Sequence, residues 1–169
     1  MIEKDHLDTF MGVPRADTSL SAGAAILGIP FECIGHRLRT GSDLGPAAIR
    51  EQSGLLRPYQ PPHADFDPLE RLNVVDCGDV DIAAGDVAQA YDSITAAVEG
   101  ILAAGAVPMT MGGDGSVTLP QLRAAARSHG PLALVHIDAH TDTGAGKTPG
   151  ELSPSTTFTR AAEEGLLDM

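Results

Sequence analysis

Three side chains that can hold a metal ion fall on alternate residues in the stretch LALVHIDAHTDTG (132–144): Asp138, His140 and Asp142. Two carboxylates and an imidazole within five residues suit a hard-to-borderline divalent ion such as Mn²⁺ better than the thiolate-rich sites of structural zinc. While the backbone stays extended, alternation keeps the three on one side. A solvated Asp-rich loop accounts for the same residues, and spacing alone leaves both readings open. His136 precedes them in the same alternation and is read as a core histidine rather than a ligand.

The elements around this stretch must position it. PLALVHID (131–138) reads as a buried strand, and AHTDT as its exit. Open parallel sheets bind ligands beyond the carboxyl ends of their strands, so the three side chains are expected to project into that crevice. AAILGIPF (24–31), LNVVDCGDV (72–80) and AVPMTMGG (106–113) read as further strands. Helices are expected over GSDLGPAAIREQSG (41–54), with Pro46 near its first turn, and over 87–105, closed by Gly105. Another runs from a Ser116 cap to about Ser128, and a last one lies within 159–168. Residues 55–71, rich in proline, read as a loop. Strands alternating with helices, and apolar without interruption, predict an α/β fold whose parallel sheet is covered on both faces. Residues 1–22 read as a polar surface arm, and 23–169 as one domain.

Composition narrows the function. The chain has 169 residues, 43% hydrophobic and only 4% aromatic, so its core must be mostly Ala, Val, Leu and Ile. A formal net charge of −12 argues against nucleic acid or an anionic membrane as partner and favours a cationic ligand. No secretion signal opens the sequence, and no apolar run approaches the roughly 20 residues that span a bilayer. Cys33 and Cys77, far apart and outside any CxxC pattern, are expected to be free thiols in a reducing cytoplasm.

VHIDAHTDT resembles the Asp-Ala-His-x-Asp signature of the ureohydrolase family, which includes arginase, agmatinase and guanidinobutyrase. Four further segments resemble that family in the same order: GIPFECIGHRLRTGSDLGPAAIR (28–50), DCGDVDI (76–82), MGGDGSVTLP (111–120) and FTRAAEEGLLD (158–168). Agmatinase-type members look most similar. The resemblance implies a three-layer α/β/α sandwich with a mostly parallel sheet and two Mn²⁺ ions, which activate water against a linear guanidino compound to release urea. By the motif, Asp138 would bridge both ions, His140 would bind one and Asp142 the other. A small cationic guanidino substrate is implied as partner.

Three departures from the pattern bear on activity. Gly115 stands where the family has a metal-binding histidine, in GGDGS. Pro154 falls on the histidine that shuttles protons in arginase-like members. The family's later Asp-x-Asp metal motif has no counterpart before Met169, so the chain is read as the N-terminal half of the fold. DCGDVDI, on a different strand, reads as polar strand-end residues and is no substitute. The amides of GGDGS could hold an anion, although no phosphate-loop pattern accompanies them. The expectation is therefore a ureohydrolase by family, with no residue assigned as catalytic and at most one weak Mn²⁺ site. Alternatives are a non-catalytic ureohydrolase-like interaction protein, a truncated gene product, or an unrelated single-metal hydrolase. A homo-oligomer, or association with a full-length homologue, would cover the exposed sheet edge.

Overall fold

The computed structural model describes residues 8–16, 21–33, 40–56, 65–82 and 86–168. At its centre lies a three-stranded parallel sheet in the order β2-β1-β3, with β1 at Ala24–Ile29, β2 at Val74–Asp79 and β3 at Val107–Gly112. All six residues of β1 are buried, as an apolar strand flanked on both edges requires. Five α-helices among the described residues accompany the sheet: α1 (Gly45–Ser53), α2 (Pro68–Arg71), α3 (Val87–Ala103), α4 (Thr118–His129) and α5 (Thr157–Glu163). The fold is α/β. No helix among the described residues is long and apolar enough to cross a membrane.

Helix α3 shows how local sequence builds this arrangement. The Asp86 carboxylate caps it by accepting from the N–H groups of Ala88 and Gln89. Ile94, Val98 and Ile101, spaced three or four residues apart, form one buried stripe. That stripe packs on Ala25, Leu27 and Ile29 of β1. The chain leaves α3 through Gly105, whose φ of +80° favours a residue without a Cβ. The opposite face of the sheet, Ala24, Ile26, Val74 and Met111, closes against Val13. A third cluster of Tyr91, Leu119, Leu122, Phe158 and Ala161 joins α3, α4 and α5.

Several expectations are corrected. Residues 131–138 do not form a strand: beyond a bridge from Leu132 to Leu167 they pair with nothing among the described residues. An apolar run becomes a strand only where a neighbouring edge takes up its backbone groups, and none lies beside this one. The sheet is accordingly not covered throughout, since Val107 and Met109 of β3 remain exposed at 62% and 50%. Among the described residues before 22, several are tied to the sheet. Val13 is buried, Arg15 bridges to Asp76, and the Phe10 N–H donates to the Asp76 carboxylate at 2.8 Å. The supposed loop contains α2, capped by Asp67, while residues 57–64 lie outside the described residues. Asp114, not Ser116, caps the turn that leads into α4, because its carboxylate accepts from the Ser116 N–H at 3.0 Å. The Ser116 hydroxyl is spent on the same carboxylate. The last helix starts two residues earlier than expected and ends at Glu163, leaving Leu167 to meet Leu132.

Below β1 and β2 sits a buried ion pair. Arg50 donates from Nε to Asp76 Oδ2 at 2.8 Å and from Nη2 to Asp76 Oδ1 at 2.9 Å, and it also reaches Asp79 and the Gly78 carbonyl. Burial pushes the Asp76 carboxyl up, but the guanidinium and the N–H groups of Phe10 and Gly78 outweigh it and hold the group below the usual carboxylate range. The DCGD strand end thus serves as a polar anchor for α1, as its strand-end position suggests.

Candidate metal centre at the carboxyl end of the sheet

Beyond the end of β3 a cleft of about 630 Å³ opens. Asp138, His140 and Asp142 line it from one side, and Asp114, Gly115 and Pro154 from the other. Asp138, His140, Asp142, Gly115 and Pro154 therefore share one cleft. Glu32 joins its rim, and among the described residues no lysine or arginine lines it.

The chain does not stay extended through the motif. Asp138 Oδ1 accepts from the His140 N–H at 3.0 Å, closing a tight turn, and Asp142 adopts a left-handed φ of +49°. That turn brings ligand atoms of His136, Asp138 and Asp142 within 4.8 Å of one another. His140 is outside this trio, with a ring 81% exposed and Nδ1 3.6 Å from Asp138 Oδ1. His136, expected in the core, lies at the surface of the cluster. Its ring stands edge-on to Phe158, centroids 4.4 Å apart, and its Nε2 is 3.1 Å from the His140 carbonyl. The only sequence sign of its involvement was that it shares the alternation of Asp138 and His140. The His140 N–H is also the main reason the Asp138 carboxyl sits below its ordinary value, and it favours the ionised form a cation would need.

Two glycines shape the other wall in opposite ways. A Cβ on Gly113 would fall 1.7 Å from the Phe31 carbonyl oxygen, so close backbone approach excludes any side chain there. A Cβ on Gly115 would meet Asp142 Oδ2 at 3.5 Å, Pro154 Cβ at 3.6 Å and Pro154 Cα at 4.0 Å, all ordinary contacts. Residue 115 thus faces the carboxylate cluster, and Pro154 stands beside it. Asp114 pins this wall in place: it takes the Cys33 N–H on Oδ2 at 2.9 Å and the Ser116 N–H on Oδ1. Its carboxylate is therefore committed to the loop, and the Ser116 amide to that carboxylate rather than to an external anion. The donor set suits one divalent ion. Two ions would need more donors than the described residues bring to the cleft.

Comparison with known proteins places this geometry. The chain is 42% identical over 163 residues to a guanidinobutyrase of Pseudomonas aeruginosa, covering 95% of this chain and 50% of that protein. With an agmatinase of Shigella sonnei it shares 46% identity over 144 residues, covering 85% and 46%. The fold superposes on proclavaminate amidino hydrolase from Streptomyces clavuligerus with a TM-score of 0.87 and 34% identity, over 95% of this chain and 53% of that one. The chain thus spans about half the length of the relatives it matches. The model of the arginase family matches residues 22–169, and the chain belongs to that family.

Proposed function

We propose that this chain carries one wall of the active site of a Mn²⁺-dependent amidinohydrolase acting on a small linear guanidino compound, and that alone it turns over little or no substrate. The supporting observation is the position of residue 115, whose Cβ direction leads to Asp142 and Pro154. A histidine at 115 would have pointed at the carboxylates, and Gly115 has nothing to offer them.

Asp138 and Asp142 would supply carboxylates to one ion, and His140, whose exposed ring can turn toward them, the imidazole. His136 is fixed by Phe158 and the His140 carbonyl, and it orients the turn instead. Held by these residues, Mn²⁺ would supply an activated water for attack on the substrate carbon. The chain's own residues draw the substrate in. Glu32 and Asp114 add negative charge to a cleft that no lysine or arginine lines among the described residues, which favours a guanidinium over an anion. A cytoplasmic setting fits the two free thiols, Cys33 and Cys77.

Urea release from agmatine and from 4-guanidinobutyrate, with and without Mn²⁺, tests this reading alongside calorimetric titration of the metal. Near-background turnover and at most one weak site per chain are expected. Two tight Mn²⁺ sites, or steady urea production by the 169-residue chain alone, would overturn it.

A further inference from the structure

Both walls of the metal cleft rest on the first two residues of α5, Thr157 and Phe158. The Phe158 N–H donates to the Asp142 carbonyl at 3.1 Å, and the Phe158 ring packs edge-on against His136. That residue therefore supports the turn that carries the carboxylates. Thr157 reaches the other side. It is 1% exposed, and its hydroxyl donates to the Gly115 carbonyl at 3.4 Å and to the Ser153 carbonyl at 3.2 Å. One proton shared between two acceptors makes a three-centre bond. Each arm ends on a segment that lines the cleft: Gly115 on one, Pro154 and Ser155 beside Ser153 on the other.

The surroundings make this hydroxyl hard to replace. Gly115 has no side chain, so only its backbone can be held. Thr157 holds it by the same carbonyl that accepts the Thr118 N–H at the head of α4. The Ser153 arm runs on to the metal turn, because Ser155, two residues further, accepts the Gly144 N–H at 2.7 Å. Thr156, Thr157 and Ser116 are each 1% exposed or less, so a bond lost here leaves its acceptors buried.

We infer that Thr157 is a positioning residue of the metal centre. Through the Gly115 and Ser153 carbonyls it sets how closely the wall at residues 114–116 stands to Asp142. The spacing is 3.5 Å from the Cβ position of residue 115 to Asp142 Oδ2. Without the hydroxyl the two carbonyls lose their common donor, and the wall and the turn move independently. Only the affinity measurement below rests on the metal reading above; the coupling of wall and turn stands apart from it.

The test compares Thr157→Val, which keeps the shape and removes the hydroxyl, with Thr157→Ser, which keeps the hydroxyl. Thr95→Val is the control: Thr95 is also buried, its hydroxyl donates to the Pro120 carbonyl at 3.1 Å, and neither residue lines the cleft. In the metal-free chain, amide exchange at Gly144 and Phe158 should quicken at least about threefold in Thr157→Val. Thr157→Ser and Thr95→Val should stay within about twofold of the wild type. Mn²⁺ titration should follow the same order, with Thr157→Val weaker by at least about threefold, less than the tenfold of a direct outer partner. If far-UV circular dichroism shows that the valine variant loses its helices, Thr157→Ala takes its place in the comparison. Unchanged exchange in Thr157→Val, equally raised exchange in Thr95→Val, or no rescue by serine would overturn the proposal. So would a Mn²⁺ affinity that ignores the change in exchange. A wild-type chain that takes up no Mn²⁺ would refute the metal reading instead, and exchange alone would then decide the role of Thr157.

Discussion

Replacing Asp76 by Asn should be among the most damaging single-atom changes available in this chain. The side chain is 1% exposed, and each carboxylate oxygen takes two donors: Arg50 Nε and the Phe10 N–H on Oδ2, Arg50 Nη2 and the Gly78 N–H on Oδ1. An amide of the same shape must turn its NH₂ toward one of these pairs, so either orientation sets donors against donors. Among the described residues it also leaves the buried Arg50 with only the half-exposed Asp79 for charge. Breaking a buried pair from one side costs about 3–5 kcal/mol. At about 2–4 °C per kcal/mol for a chain of this length, the thermal midpoint should fall by roughly 6–20 °C. Asp79→Asn removes one contact at a site 39% exposed and should cost about 1 kcal/mol or less. Paired thermal and urea unfolding of the two variants measures the contrast. Equal losses, or a loss below about 1 kcal/mol for Asp76→Asn, would refute the view that this carboxylate anchors α1 to the sheet.

The same carboxylate sets a pH dependence. Its folded pKa lies below its unfolded one, so its stabilisation is present above the unfolded value and is lost as pH falls through the folded one. Urea midpoints of the wild type should therefore drop more steeply than those of Asp76→Asn between about pH 5 and about pH 2. A parallel decline would contradict this. Gly113→Ala should destabilise by about 1–3 kcal/mol through its clash with the Phe31 backbone. Gly115→Ala should be neutral or stabilising by up to about 1 kcal/mol, and differential scanning calorimetry would show any reversal of that order. Gly115→His should tighten Mn²⁺ by at least about tenfold, the smaller effect even of an orienting outer partner. Unchanged affinity by titration would mean that residue 115 does not face the ion.

Much of the fold was legible because local signals and tertiary context agree. The apolar run at 24–29, the three-and-four spacing of Ile94, Val98 and Ile101, and the glycine after α3 each point one way, and the structure follows them. Where a signal was local but its outcome depended on neighbours, sequence reading failed. LALVHID has the composition of a central strand, yet strand formation is a property of two edges, and composition says nothing about whether the second is present. Val13 and Arg15 looked like part of a polar arm because only the fold brings them to their partners: Val13 to a sheet face drawn from three separate strands, and Arg15 to Asp76, some sixty residues along the chain. The caps at 114 and 116 were interchangeable on paper, since Asp and Ser both accept from backbone N–H groups; geometry gave the role to Asp114.

The candidate site divides in the same way. The residue types at 138, 140 and 142 suggested a metal site, but which side chains converge depended on the turn at Asp138 and the left-handed Asp142, and these drew His136 into the cluster and left His140 outside it. Gly113 and Gly115 make the sharper case. As letters in GGDGS they are the same residue two positions apart. In space the first is required, because the Phe31 carbonyl occupies the place of any side chain. The second is merely allowed, because a Cβ there would make only ordinary contacts with Asp142 and Pro154 at the wall of the cleft. Packing therefore explains the glycine at 113 and does not explain the one at 115. That is the physical ground for reading Gly115 as the absence of a metal donor rather than as a demand of the fold.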